Sequence, residues 1–372
     1  MKWVFWASTA VIAYTYVGYA GWLWLRRRWR CQLVKSAPYE PVVSIVMVVR
    51  NEAHVLERKL RNLLKLDYPA EQYEIVVVSD GSTDATNDIL SHYAGNQQVR
   101  VVLNLESRGK ASGLNDAIEV ARGEVIVFTD ARQLIESRAV RLLAENFADP
   151  EVGCVSGELM LGDPDAGEAA KGLGLYWVIE KKIRELESAC GSVVGATGAL
   201  YAVRRRLLVP LPPETILDDV YLPMQVVRQG ARVVFEPRAR AWDKPDLGPG
   251  REFARKVRTL SGNYQLVQLA PWLLSRDNPI RFQFVSHKLM RLMVPFALVL
   301  AFLTSALLPG SVYTVALVAQ LAFYGLSLLA VARLKGPVAR AADAAFTFVV
   351  LNTAAIVAFA NFITGRRAVW GR

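Results

Sequence analysis

Glu74-Ile75-Val76-Val77-Val78-Ser79-Asp80-Gly81-Ser82-Thr83-Asp84 decides the fold class of this chain. A run of β-branched residues stops abruptly at Asp-Gly, and Thr83-Asp84 supplies helix N-cap chemistry. The pattern places Asp80 at the carboxyl end of a parallel strand, where open α/β sheets bind ligands. The same design recurs at Glu124-Val125-Ile126-Val127-Phe128-Thr129-Asp130, and a third acidic site stands in Ile216-Leu217-Asp218-Asp219-Val220. One such carboxylate is an ordinary turn residue; three in this order point to a site.

Outward from that stretch, strands and helices alternate. Val42 to Val49 reads as a buried strand, and Glu52 to Leu66 as a helix with apolar residues at Leu56, Leu60, Leu63 and Leu64. Glu74 to Ser79 is the second strand and Thr86 to Tyr93 a helix. Val99 to Leu103 is the third strand, Ala111 to Ala121 a helix, and Glu124 to Thr129 the fourth strand. Such alternation predicts an α/β, doubly wound sheet. There is no G-x-G-x-x-G after the first strand and no G-x-x-x-x-G-K-[ST], which sets aside dinucleotide oxidoreductases and P-loop NTPases. Cys31, Cys154 and Cys190 are widely spaced, as are His54, His92 and His287. They form neither a disulfide framework nor a thiol or imidazole metal site, and a reduced compartment fits.

The composition adds a membrane. Of 372 residues, 53% are hydrophobic, and the mean hydropathy is +0.23, too apolar for an ordinary soluble protein. Trp3 to Leu25 is uncharged and is followed by Arg26-Arg27-Arg28-Trp29-Arg30. Leu292 to Ala332 is uncharged, broken at Leu308-Pro309-Gly310-Ser311, and reads as a helical hairpin. Ala344 to Thr364 is uncharged again. A bilayer core takes about 20 apolar residues per helix, so four candidate spans are expected. The first is too long for a signal peptide, lacks an Ala-x-Ala site and carries its positive charge behind it. That order predicts an external N-terminus and a cytoplasmic domain from residue 26 onward. Strict alternation then leaves Arg366-Arg367 outside, against the positive-inside trend; Ala344 to Thr364, which holds Asn352 and Asn361, is spanning, re-entrant or interfacial. The net charge of +10 and pI near 9.6 reflect basic runs that flank apolar spans and face anionic lipid. No nucleic-acid-binding pattern is present.

Arg50-Asn51-Glu52, Ser79-Asp80-Gly81-Ser82-Thr83-Asp84, Gly109-Lys110-Ala111-Ser112-Gly113-Leu114-Asn115, Thr129-Asp130-Ala131-Arg132 and Leu217-Asp218-Asp219 fall in the order found in family 2 glycosyltransferases. The chain resembles the cellulose synthase-like, membrane-embedded branch of that family. The resemblance covers residues 42 to 265, and it is the joint order of the motifs that is specific. It implies a GT-A (Rossmann-like) doubly wound sheet with flanking transmembrane helices. It implies a nucleoside pocket at Asp80, lined also by Glu52 and Arg50 in the strand-one turn, with Lys110 near the phosphates. Otherwise Asp80 is a turn residue and Lys110 a solvated one. Asp130 takes the first position of the family's D-x-D metal motif, which implies Mg²⁺ or Mn²⁺. The third position is Arg132, which repels a cation and either hydrogen-bonds a phosphate or points into solvent.

Asp219 matches the family's general base, with Gly230 eleven residues later; Asp218 is a helix cap or a supporting carboxylate. Arg255-Lys256-Val257-Arg258-Thr259 corresponds to the Q-x-x-R-W region of polymerising relatives. Arg258 is retained as a diphosphate clamp, while Thr259 replaces the tryptophan. The alternative is an amphipathic membrane-surface helix. Thr197-Gly198-Ala199-Leu200-Tyr201 resembles an acceptor floor, so Gly198 and Ala199 are expected acceptor contacts, and Tyr176, Trp177 and Trp242 are either sugar platforms or core.

The resulting plan is a transmembrane helix over 1–25, a basic linker over 26–41, a cytoplasmic GT-A domain over 42–270 and an interfacial segment over 271–291. A membrane region over 292–364 and a basic tail over 365–372 follow. The expected protein is a multi-pass inner-membrane inverting transferase that moves sugar from a UDP-sugar to a lipid-linked or polysaccharide acceptor in bacterial cell-surface polysaccharide synthesis. The alternatives are single-sugar transfer to a lipid carrier or glycolipid, and a non-catalytic nucleotide-sugar-binding assembly subunit.

Overall fold

The computed structural model describes residues 1–163, 168–169, 175–244, 249–332 and 336–366. Four parallel strands form one half of a mixed sheet: β1 (Val43–Val49), β2 (Tyr73–Asp80), β3 (Val99–Asn104) and β4 (Val125–Thr129). Their order is β3-β2-β1-β4. β1 is buried along its whole length, because both faces of a parallel sheet are covered by helices. Those helices are α3 (Ala53–Leu63), α4 (Thr86–Tyr93) and α5 (Lys110–Val120).

The sheet continues in the order β8-β6-β9-β5, built from β5 (Leu134–Ile135), β6 (Val152–Asp163), β8 (Leu200–Arg204) and β9 (Arg232–Asp243). β7 (Glu168–Ala169) pairs with β6. β8 runs antiparallel to both β4 and β6. Its register sets Phe128 opposite Tyr201, and the two rings stack at 4.5 Å. β9 runs parallel to β6 and antiparallel to β5, so this mixed half departs from a sheet wound in one sense. It is packed by α6 (Ala139–Glu145), α7 (Leu175–Ala189) and α8 (Asp218–Arg228). Asp218 and Asp219 lie in the first turn of α8, where their charge suits the helix dipole.

The membrane-type segments dock on this domain. α1 (Lys2–Ala13) continues through a π turn into α2 (Tyr19–Trp29). α9 (Pro249–Leu269) leads to α10 (Arg281–Phe284), a second π turn over Val285–Leu289, then α11 (Met290–Leu307), α12 (Ser311–Leu329) and α13 (Pro337–Ile363). The break between α11 and α12 falls at Leu308 to Gly310, where the hairpin turn was expected. Among the described residues, Arg281–Leu307, Ser311–Leu329 and Pro337–Ile363 are long and apolar enough to cross a membrane; the N-terminal helix, rich in tryptophan and tyrosine, is not among them, so three spans are found where four were expected.

Both ends of this C-terminal set touch the α/β domain. Phe284 is fully buried in the core cluster that contains Leu273 and Leu217. At the other end, Phe359 and Phe362 pack on Tyr264 of α9 at 5.7 and 5.2 Å.

Candidate active site

The carboxyl end of β4 and the first turns of α5 and α8 converge on one ammonium. Lys110, the first residue of α5, lies 3.0 Å from Asp130 and 3.2 Å from Asp218. Burial disfavours its charge, but the two carboxylates outweigh that and hold its pKa above the ordinary lysine value. Asp218 is buried and accepts a second bond, from the Tyr201 hydroxyl at 3.2 Å. The neighbouring Asp219 accepts the Gly198 backbone N–H at 3.1 Å. Burial and the Asp218 charge push the Asp219 carboxyl up to about 6, against Lys110. Arg258 on α9 faces Asp218, Asp130 and Asp219, and its burial lowers its pKa in spite of them.

Beside this cluster opens a cavity of about 800 Å³. Arg50, Arg108, Lys110, Arg258 and Arg366 supply its positive charge, with Glu214 as the one carboxylate among the lining residues described. Ser107 and Gly109 add the loop ahead of α5. A cavity of this size and sign, at the amino end of a helix, has the charge and the donors to take phosphate groups.

Residues 44–209 match the family model described as glycosyl transferase family 2. The chain carries a family 2 glycosyltransferase domain. It is 26% identical over 234 residues to a poly-β-1,6-N-acetyl-D-glucosamine synthase of Staphylococcus aureus, covering 60% of this chain and 55% of that protein. It is 25% identical over 253 residues to the Staphylococcus epidermidis synthase of the same name, covering 65% and 60%. The chain thus spans little more than half the length of these relatives. A solved structure, a mannosyltransferase of Pyrobaculum calidifontis in complex with GDP-Man and Mn²⁺, superimposes with a TM-score of 0.75 at 24% identity, over 98% of this chain and all of that one. The shared architecture is the GT-A fold, as the motif order implied.

Within the glycosyltransferase domain, the expected residues separate into groups. Arg50, Lys110 and Arg258 line the cavity. Asp80 does not: its carboxylate is fully buried and accepts from Ser107 Oγ at 2.7 Å, the Arg108 N–H at 2.8 Å and the Gly109 N–H at 2.9 Å. Both oxygens are engaged by the loop ahead of α5, so Asp80 shapes the cavity wall from behind. Gly81 has φ of +62°, and a Cβ there would meet the Ser107 nitrogen at 2.5 Å. The Asp-Gly pair is therefore required by the close approach of this loop. Glu52 stands at the N-cap position of α3, and its backbone N–H donates to Thr86. Asn51, at φ of +55°, ties the strand-one turn to the Asp80 loop by accepting the Thr83 N–H at 2.8 Å.

Arg132 does not line the cavity, and its guanidinium is only partly exposed. Its guanidinium donates to Asp243 at 2.7 Å, and Arg255 lies 3.5 Å from the same carboxylate. Asp243 is a buried residue at the end of β9 with no counterpart in the motif order. Gly198 lies directly against Asp219, and a Cβ on it would come within 3.1 Å of Asp219 Oδ2. Ala199, expected to contact acceptor, is buried in the core, and its carbonyl accepts from Thr129 Oγ1 at 2.9 Å. Trp177 lies in α7, and Trp242 donates to Glu136 at 2.8 Å. Tyr176 belongs to the first turn of α7, but its side chain lies outside the described part.

The expected divalent cation has few ligands here. A hard cation needs several oxygen donors. The ammonium of Lys110 already bridges Asp130 and Asp218, and Arg132 holds Asp243. Among the described residues no group of three or more His, Cys, Asp or Glu side chains is placed to hold a metal. By themselves the described side chains thus offer a cation fewer ligands than it takes, with Asp130 the residue that would hold it.

Residues that sequence reasoning missed are Arg108, Ser261, Gln265 and Arg366 on the cavity wall. Arg108 adjoins the Gly109-Lys110 motif and pairs with Asp116, so its neighbour was the available signal. Arg366 had none, because its place depends on the return of α13.

Proposed function

We propose that this chain is an inverting glycosyltransferase that moves a sugar from a nucleotide sugar, UDP-linked, to a membrane-associated acceptor in cell-surface polysaccharide synthesis. The observation that carries this reading is the convergence of Lys110, Asp218, Asp219 and Arg258 beside one cationic cavity. The diphosphate of the donor lies along Arg50, Arg108 and Lys110, with Arg258 closing on it. Asp219 takes the proton of the acceptor hydroxyl. The freed oxygen attacks the anomeric carbon, and the bond from that carbon to the diphosphate breaks. The electron pair leaves on the nucleoside diphosphate, whose charge the cations meet. Attack from the side opposite the leaving group inverts the anomeric configuration.

The names of the Staphylococcus relatives support a polysaccharide product. Transfer to a lipid carrier is the second reading, favoured by the cations that surround the acceptor side of Asp219. Membranes supplied with labelled donors separate the readings by product length: a polymer, a single adduct, or none. Release of UDP across a donor panel identifies the sugar. Absence of turnover with every donor would leave a nucleotide-sugar-binding subunit and refute catalysis.

A further inference from the structure

The acceptor side of Asp219 holds more positive charge than the reaction just described uses. α7, the π turn over Val285–Leu289 and the first turn of α11 bring three cations together there. Arg291 lies 2.7 Å from Glu180. Arg184 lies 3.5 Å from the same carboxylate and donates to the Thr197 hydroxyl. His287 is buried between Glu180 at 3.1 Å and Glu187 at 2.8 Å, and Glu187 also accepts the Tyr19 hydroxyl at 2.6 Å. The carboxylates of this cluster are therefore already engaged. Lys288 is left over: it is half-buried and makes no hydrogen bond or ion pair among the described residues. Glu180, Arg184, Asp219 and Arg291 surround it at longer range. Glu180 is shared among Arg184, His287 and Arg291, and Asp219 holds the Gly198 N–H, so a half-buried ammonium next to two guanidiniums favours a further anion.

Two features say which anion. First, the cluster connects to the proposed base. Arg184 binds Thr197, the next residue is Gly198, and the Gly198 N–H holds Asp219 at 3.1 Å. An anion held here belongs to the molecule that presents its hydroxyl to Asp219. Second, the cluster sits where apolar helix begins. Trp22 packs on Phe282 at 4.5 Å, and Arg26 and Arg28 lie over Trp22 and Trp24. This mixture of tryptophan and arginine marks a bilayer headgroup level. Beyond it, Met293, Leu300, Leu303 and Leu307 form an exposed stripe along α11 that suits an acyl or isoprenoid chain.

We propose that Arg184, Lys288 and Arg291 form a subsite for the phosphate of a membrane-borne acceptor lipid. The proposal rests on the reading of Asp219 as the acceptor's base and names the class of acceptor that this base serves. Charge-assisted bonds bind phosphate strongly, and three cations at headgroup depth fix the lipid so that its reacting hydroxyl meets Asp219. A bulk anionic headgroup would supply the same chemistry, but its phosphate would have no reason to sit within reach of Gly198 and Asp219.

The test uses the full chain in nanodiscs of neutral phosphatidylcholine, with farnesyl phosphate as probe and farnesol as its uncharged control. Farnesyl phosphate is expected to bind at least about tenfold more tightly than farnesol. Lys288→Gln should remove most of that preference, Lys288→Arg should restore it, and UDP affinity in both variants serves as the folding control. Equal binding of farnesol, or full retention of the preference in Lys288→Gln, overturns the subsite. Competition by phosphatidylglycerol as effective as farnesyl phosphate reassigns the cluster to the general lipid surface and also overturns it. UDP release by a protein that ignores farnesyl phosphate refutes the subsite alone. Phosphate binding by a protein that releases no UDP refutes the transferase reading alone.

Discussion

Replacing Asp219 by Asn is expected to abolish transfer while leaving the protein at least as stable as before. The carboxyl is pushed up to about 6 from the ordinary aspartate range, through burial first and the Asp218 charge second. Each tenfold displacement of a proton equilibrium is about 1.4 kcal/mol, so keeping Asp219 ionised at pH 7 costs about 2–3 kcal/mol. The sign follows from the direction. A carboxyl raised in the folded state penalises folding above pH 6, and the penalty fades as pH falls toward 4. Asn retains an acceptor for the Gly198 N–H and carries no charge. Asp219→Asn should therefore melt no lower than the native chain at pH 7.5, with any advantage shrinking toward pH 4. Turnover should drop by about 10²–10⁴-fold, the usual contribution of a positioned base, while UDP affinity persists. The native enzyme should show an acid limb in kcat/KM with a midpoint near 6; by simple titration about one tenth of Asp219 is ionised at pH 5, so the rate there is about tenfold below that at pH 7. Thermal melts across pH and a pH–rate profile in nanodiscs are the assays. Retained turnover, loss of UDP affinity in parallel, or clear destabilisation at pH 7.5 would each refute the reasoning.

Gly198→Ala puts a Cβ 3.1 Å from Asp219 Oδ2, so it should lower kcat by roughly tenfold or more with little change in UDP affinity; unaltered kcat would show that the base does not depend on this contact. Lys110→Ala frees carboxylate oxygens on Asp130 and Asp218, so calorimetry should find weak Mn²⁺ binding in the donor-free native chain and tighter binding in the variant. Tight binding by the native chain would contradict the site as described. Arg132→Met leaves the buried Asp243 with Arg255 at 3.5 Å, and should lower unfolding stability by about 2–4 kcal/mol, read from a urea midpoint; a neutral result would mean that Arg255 suffices. Arg366 and the buried Phe284 bracket the C-terminal helices, and both lie against the catalytic domain. Those helices should therefore cross the bilayer an even number of times. Cysteines at 309 and 366 should label from opposite faces, and labelling from one face would refute that topology.

The parallel half of the sheet was legible in the sequence because its signals are local. Glu74 to Asp84 contains its own β-run, its own turn and its own cap, and α4 begins at Thr86 as read. Val42 to Val49 and Val125 to Thr129 are as self-contained. The second half of the sheet was not read: β6 and β9 run parallel and pair residues some eighty positions apart, such as Val155 with Val234, and no local pattern states such a pairing. The acidic residues Asp80, Asp130, Asp218 and Asp219 could be named from their motifs, but their partners could not. Whether Asp80 faces a ligand or a loop depends on where residues 107 to 109 fold back. Whether Arg132 meets a phosphate or Asp243 depends on β9, and the unmatched charge of Lys288 appears only when α7 and the π turn before α11 close around Glu180. A sequence fixes the chemical character of each group and its neighbours within a few residues; which charge faces which is settled by contacts between distant segments, because electrostatic partners are chosen by distance in space.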